Sequence, residues 1–139
     1  MKFKKSDNKY IVRLEKGEEI IEQLTNLCKH ENIKAGYILG LGAINKAELG
    51  LYNLTTKEYK SKEIEGSYEI TILNGNISIM NGDPYLHVHI TVSDDNFQVF
   101  GGHCKYAIVS ATCEITIFPI DTDIDRYFDR EIGLNLYKI

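Results

Sequence analysis

The sequence lacks any excess of positive charge. Lys and Arg number 16 against 20 Asp and Glu, which gives a formal net charge of −4 and a pI near 5.6 over 139 residues. A protein that grips phosphate groups usually carries the opposite balance. The cationic start at Lys2, Lys4 and Lys5 is too short and too interrupted to form a basic tail. The charge balance therefore argues against nucleic acid as a primary partner.

Long apolar runs, repeats and low-complexity segments are also absent. No stretch approaches the ~18 residues that a membrane span needs, and none resembles the apolar part of a signal peptide. We therefore expect a cytoplasmic protein with no membrane partner. The length and the near-average composition favour a single domain over residues 1–139.

The local motifs of redox, acyl-transfer and nucleotide chemistry are missing as well. The three cysteines, Cys28, Cys104 and Cys113, form no Cys-x-x-Cys pair and are odd in number, which is typical of reduced thiols used as small apolar residues. No Gly-x-Ser-x-Gly, P-loop or complete Gly-x-Gly-x-x-Gly motif occurs. The sequence thus gives no indication of a nucleotide site.

What the sequence does contain is one helical pattern and a series of strand patterns. Between residues 17 and 32, apolar residues recur at the helical period, at Ile20, Ile21, Leu24, Leu27 and Cys28. Runs rich in β-branched and aromatic residues predict strands at 10–14, 35–43, 47–52, 58–63, 68–80, 86–93, 97–101 and 111–118. The predicted fold class is α+β, a mostly antiparallel sheet with one main amphipathic helix packed on it.

Three of the four histidines lie close together in the sequence, at His87, His89 and His103. Alternation along the strand 86–93 places His87 and His89 on the same face. A loop with an odd number of residues would bring His103 to that face as well, opposite His87 if the loop is centred on residue 95 and opposite His89 if it is centred on residue 96. A two-residue loop would turn His103 away, and the sequence leaves these alternatives open.

A loop with an odd number of residues would place the three histidines in an arrangement that suits a metal ion. Opposed side chains have Cβ atoms ~4.5–5.5 Å apart, within reach of one ion bound to imidazole nitrogens at ~2.0–2.1 Å. Zinc is the first expectation, and iron, nickel and copper also accept imidazole. A fourth position would stay open for a small ligand, with room beside Gly101 and Gly102.

The alternative is that these histidines are merely solvated or hydrogen-bonded on a polar strand face. The remaining histidine, His30, is expected to serve as a favourable charge at the helix end. Glu69 and Glu114 are candidate catalytic groups, because either could complete the metal shell or act as a general base if it reached the histidines. Alternation places Glu114 beside Thr112 and Thr116, which favours a solvated face.

Several segments, taken in order, carry a family resemblance. They are RLEKGEEI at 13–20, GLGAINKAELGLYN at 40–53, YEITILNGNIS at 68–78, HVHITVSD at 87–94, GGHC at 101–104, ATCEITI at 111–117 and the tail RYFDREIGLNL at 126–136. Their order and spacing resemble the plants-and-prokaryotes-conserved (PPC, also PCC) domain in its bacterial stand-alone form. The resemblance implies an α/β sandwich-like domain that forms homotrimers and has a metal site at His87, His89 and His103.

The resemblance also bears on DNA. Plant members carry the domain beside AT-hook segments that bind the minor groove, and bacterial relatives are labelled DNA-binding by association. This chain has no Arg-Gly-Arg-Pro segment and a net charge of −4, so we expect no direct DNA binding. The expected function is a homotrimeric binding or regulatory module with a divalent metal and a possible small-molecule ligand. The alternative is a metal-dependent enzyme, of hydrolase or lyase type, that acts on a small molecule.

Overall fold

The structure, a computed structural model, describes residues 1–139 as strands with a single α-helix. In chain order the elements are β1 (Lys2–Ser6), β2 (Lys9–Glu15), α1 (Ile20–His30), β3 (Gly36–Asn53), β4 (Glu58–Met80), β5 (Asp83–Ser93), β6 (Val99–Pro119), β7 (Arg126–Asp129) and β8 (Leu134–Tyr137). All the named strands pair in antiparallel fashion, so the mostly antiparallel α+β class predicted from the sequence is confirmed. No helix has the length and apolar character needed to cross a membrane.

Three strands are longer than the sequence pattern predicted. The predicted pairs of strands at 35–43 and 47–52, at 58–63 and 68–80, and at 97–101 and 111–118 are in fact β3, β4 and β6. In β3 the register shifts between Gly40 and Gly42 and again between Ile44 and Lys46. A bulge bends a strand without ending it and breaks its alternation, so one curved strand resembles two short ones in the sequence.

The sequence patterns missed the short strands at the two ends of the chain. Every residue of β1 is exposed, so this strand has no buried positions to show the usual alternation. Strands β7 and β8 have four residues each and form a separate two-stranded hairpin in the C-terminal tail. This hairpin forms one wall of the site described below.

The main sheet runs in the order β1-β2-β6-β3-β4-β5, and β5 also pairs with β6. Strands β3, β4, β5 and β6 thereby form a closed cycle of pairings. The length of β6 makes this possible, because its residues 112–117 pair with β2 whereas its residues 99–103 pair with β5. The closure brings together the two strands that carry the three clustered histidines.

Helix α1 is anchored by the carboxylate of Glu19, its N-cap residue. This carboxylate accepts hydrogen bonds from the backbone N–H groups of Ile21 at 2.9 Å and Glu22 at 2.6 Å, and a third from Ala107 of β6 at 3.0 Å. An N-cap side chain satisfies helix donors that have no partner within the helix. The same group therefore starts the helix and ties it to the sheet. The helix buries Ile20, Leu24, Leu27 and Cys28.

The hydrophobic core is one cluster of 25 buried residues shared by the helix and the sheet. The core includes Val88, Ile90 and Val92 of β5, which are essentially inaccessible to solvent. This is the alternation that the sequence predicted, and it sends His87 and His89 to the opposite face of the strand. The three cysteines are free and buried, as their spacing indicated.

Candidate metal centre

The hairpin of β5 and β6 sets the register of the histidines. His89 pairs directly with His103, and Ser93 pairs with Val99, so the turn is centred on residue 96. This is the second of the two odd-loop alternatives left open by the sequence. His103 therefore lies on the same face as His87 and His89, and the three side chains meet outside the core.

Asp94 holds the loop in this geometry. One of its carboxylate oxygens, Oδ1, accepts hydrogen bonds from the backbone N–H groups of Asn96 and Gln98, both at 2.9 Å. The backbone N–H of Asp94 donates to the Gln98 carbonyl at 3.1 Å, and that of Phe97 donates to the Asp94 carbonyl at 3.0 Å. Phe97 has a positive φ of 59°. Short polar side chains commonly bond to nearby backbone in this way and stabilise turns.

The three imidazoles are close enough to share one ion. Their ring centroids lie 5.1 Å apart for His87 and His89, 5.3 Å for His87 and His103, and 5.6 Å for His89 and His103. One nitrogen from each ring can be chosen so that all three lie within 4.8 Å of one another. The Nε2 atoms of His87 and His89 are 3.3 Å apart. Two nitrogens bound to one tetrahedral zinc at ~2.0–2.1 Å would lie ~3.3–3.4 Å apart.

The environment favours neutral imidazoles. Burial lowers the pKa of His87 to about 4, and the neighbouring charges of His103, His89 and Arg126 act in the same direction. Burial also lowers the pKa of His103, with His89 adding to the effect. A neutral imidazole keeps the lone pair that a metal ion binds. Both rings are thus in the form a ligand requires at neutral pH.

One ring nitrogen of the cluster has no hydrogen-bond partner within the protein. Nδ1 of His103 is buried and makes no hydrogen bond. A buried polar atom without a partner is costly, so it calls for a specific explanation. The uncompensated nitrogen and the all-imidazole donor set fit a divalent transition metal such as zinc.

The glycines next to His103 allow close packing of neighbouring strands and do not enlarge the site. A Cβ on Gly101 would lie 2.3 Å from the carbonyl oxygen of Ile90, and one on Gly102 would lie 2.7 Å from that of Gly50. The expectation that these glycines leave room for a ligand is therefore wrong. They let β6 approach β5 and β3 closely, which the closed cycle of strands requires.

The other candidates lie away from the cluster. Glu69 is exposed opposite Ser93 of β5, and Glu114 is exposed opposite Arg13 of β2. Neither belongs to the group of close ligand atoms, which contains only the three histidines. His30 lies in the last turn of α1, where its Nδ1 is 2.9 Å from a carboxylate oxygen of Glu31.

A cleft of about 250 Å³ adjoins the cluster, with His87 and His103 in its lining. The ring of Tyr59 lies 5.8 Å from that of His103, centroid to centroid. The β7–β8 hairpin contributes Arg126 and Asn135 to the lining of the same cleft. No local motif marks these residues in the sequence, because their partners in the cleft are far away along the chain.

Two solved structures share this fold over almost the whole chain. A candidate DNA-binding protein from Bacteroides thetaiotaomicron is 38% identical, with a TM-score of 0.96 and coverage of 99% of this chain and 96% of that one. A metal-containing protein from Archaeoglobus fulgidus is 31% identical, with a TM-score of 0.90 and coverage of 99% and 97%. The similarity includes the C-terminal hairpin, since almost no residue is left out.

Comparison with curated proteins and family models identifies the family of the chain. The bifunctional protein GlmU of a Synechococcus strain is 28% identical over 110 residues, which are 78% of this chain and only 16% of that protein. The chain thus matches a small part of that relative. The family model of the Plants and Prokaryotes Conserved (PCC) domain matches residues 1–121, so the match ends before the β7–β8 hairpin. Because that match covers most of the sequence, the chain belongs to the PCC domain family.

Proposed function

We propose that this protein holds a divalent metal ion, zinc in the first instance, between His87, His89 and His103. The observation that carries the proposal is the meeting of three imidazoles whose ligand atoms lie within 4.8 Å of one another. The unpartnered Nδ1 of His103 and the metal-containing relative from Archaeoglobus fulgidus support it. A bound zinc ion would supply a Lewis-acid centre with a coordination position left for a ligand.

We propose a binding or regulatory module in preference to a hydrolase or lyase. An enzyme of that kind needs a group that moves a proton at the site. The three histidines of the close group would be occupied as metal ligands, and Glu69 and Glu114 lie elsewhere on the sheet. The cluster is therefore better suited to holding a metal and a ligand than to acid–base chemistry.

We also propose that the module is a homotrimer that contacts its copies through the outer face of the sheet. Ile11 of β2 and Leu39 of β3 both pair with Thr116 of β6, so they share one face, and they are 50% and 41% exposed. Leu41 extends the same row along β3 and is 58% exposed. Contiguous exposed apolar side chains are typical of an interaction surface.

The trimer can be tested by light scattering on the purified protein. We expect Leu41→Asp to yield smaller species, because it places a charge in the proposed contact. Leu54→Asp, in the exposed turn after β3, is the matched control and should leave the assembly unchanged. A wild-type monomer, or an assembly unaffected by Leu41→Asp, would contradict the proposed interface.

Direct DNA binding is not part of this proposal, although the relative from Bacteroides thetaiotaomicron is named as a candidate DNA-binding protein. The net charge of −4 disfavours contact with phosphates. We expect any gel-shift signal with duplex DNA to disappear at physiological salt. A sequence-specific shift that persists there would refute this expectation.

The metal content of the purified protein tests the proposed zinc site. We expect about one zinc ion per chain in wild-type protein after dialysis, measured by elemental analysis, and loss of that ion in His87→Ala and His103→Ala. His30→Ala is the matched control, since His30 lies in helix α1 and should not affect metal content. Thermal unfolding shows whether each variant is folded. Stoichiometric metal that persists in both cluster variants would refute the assignment.

A further inference from the structure

Arg126 is held rigidly at the edge of the histidine cleft. Its Nε donates a hydrogen bond to Ser78 Oγ at 2.7 Å, and its Nη1 donates to the Asn135 carbonyl at 2.7 Å. The guanidinium carbon lies 4.7 Å from the ring centroid of Tyr85 and 4.4 Å from that of Tyr137. Ser78 is fully buried, so the anchor is part of the packed interior. Two hydrogen bonds and two aromatic contacts leave the guanidinium little freedom to move.

The charge of this guanidinium is not neutralised within the protein. Arg126 takes part in none of the ion pairs of the structure. A guanidinium has five N–H donors, and the hydrogen bonds to Ser78 and Asn135 leave Nη2 without a protein acceptor. Arginine pairs with carboxylate and phosphate through two parallel N–H···O bonds when such donors are free.

The free charge belongs to the same cleft as the candidate metal ligands. Arg126, His87 and His103 all line the cavity of about 250 Å³, and Tyr59 and Asn76 add polar groups to it. The positive charge is close enough to His87 to help lower the pKa of that imidazole. The cavity is slightly smaller than the ~300–1,000 Å³ of most small-molecule sites, so it suits a compact ligand.

We infer that Arg126 is the anion-binding residue of this cleft and that the ligand is a small organic molecule bearing a carboxylate or phosphate group. The inference rests on the proposed metal site in one respect: the anionic ligand would reach from Arg126 toward the ion held by the histidines. Arg126 lies beyond residues 1–121 matched by the family model. The β7–β8 hairpin is then the element that selects the charge of the ligand.

The test uses the full chain, labelled with nitrogen-15, and three probes: acetate, inorganic phosphate and acetamide. Acetamide has nearly the shape of acetate without its charge. In metal-free protein we expect acetate and phosphate, but not acetamide, to shift the NMR signals of the Arg126 guanidinium N–H groups, foremost those of Nη2, which has no acceptor in the protein. Comparison of acetate with phosphate shows which oxyanion is preferred. Equal effects of acetate and acetamide, or no shift from either anion, would overturn the inference.

Variants separate anion binding from packing and from metal binding. We expect Arg126→Lys and Arg126→Gln to weaken acetate binding at least about tenfold, since bidentate pairing is lost. Arg130→Gln, in the exposed turn of the same hairpin, is the matched control. Unchanged acetate binding in the Arg126 variants would refute the inference. If those variants fail to fold, the wild-type comparison of acetate with acetamide still decides it.

Zinc content is measured on the same samples. We expect the Arg126 variants to retain zinc, because Arg126 is not a ligand. Wild-type protein without zinc would refute the proposed function while leaving the acetate result as a separate outcome. Wild-type protein with zinc but without acetate binding would refute only the role of Arg126.

Discussion

His89 and His103 face each other directly across β5 and β6, with their ring centroids 5.6 Å apart. This pairing depends on the loop at residues 94–98, which sets the register of the hairpin. Because side chains alternate with a period of two along a strand, a slip of one residue would turn His103 toward the core face. The candidate metal site is therefore a consequence of hairpin geometry as much as of the histidines themselves.

The first prediction concerns Asp94, whose carboxylate accepts two backbone N–H groups of the loop. We expect Asp94→Ala to lower the free energy of unfolding by ~1 kcal/mol and to weaken zinc binding, because the register is held less firmly. Urea unfolding and competitive zinc titration measure the two effects. Asp95→Ala is the control, since Asp95 accepts only from the Asn96 side chain. Equal zinc affinity in both variants would argue against a role for the loop in the site.

The second prediction links metal to stability. Three ligands from two strands should bind zinc only when the hairpin is formed, so zinc should stabilise the folded state. At a free zinc concentration 100 times Kd we expect the free energy of unfolding to rise by ~2.7 kcal/mol. Urea unfolding with zinc and with a chelator measures the change, and His103→Ala should abolish it. A zinc effect of equal size in His103→Ala would place the metal elsewhere.

The third prediction tests the close approach of β6 to β5. A Cβ on Gly101 would lie 2.3 Å from the Ile90 carbonyl oxygen, a contact that backbone atoms cannot relieve without moving the strands apart. We expect Gly101→Ala to destabilise the protein by about 2 kcal/mol or more. Gly50→Ala is the matched control, because a Cβ on Gly50 would have its nearest neighbour, a carbon of the Tyr59 ring, at an ordinary contact distance of 3.4 Å. Similar unfolding curves for the two variants would refute this explanation of Gly101.

The fourth prediction concerns the cysteines. Burial raises the pKa of the thiols of Cys28, Cys104 and Cys113 to about 12 in each case. The thiolate is the reactive form, and at pH 8 a group with that pKa is almost wholly protonated. We expect iodoacetamide at pH 8 to leave the native protein unmodified, whereas protein unfolded in urea reacts at all three positions. Mass spectrometry counts the adducts, and rapid labelling of folded protein would contradict the burial of these thiols.

The main features of the local structure could be predicted from the sequence. The helical stripe from Ile20 to Cys28 and the alternation along β5 are short-range patterns that follow directly from backbone geometry. The long strands were predicted less well. Bulges in β3 change which face the side chains point to, so the pattern looked like two strands with a gap.

That His87 and His89 share a face follows from the sequence, because residues two apart on a regular strand point to the same side. That His103 joins them opposite His89 depends on how the chain folds, since the hydrogen bonds of Asp94 fix the length of the loop. Folding also brings Arg126 to the cleft, where it donates a hydrogen bond to Ser78, a residue that lies 48 positions earlier in the chain. Such contacts leave no periodic trace in the chain, because packing between distant segments creates them.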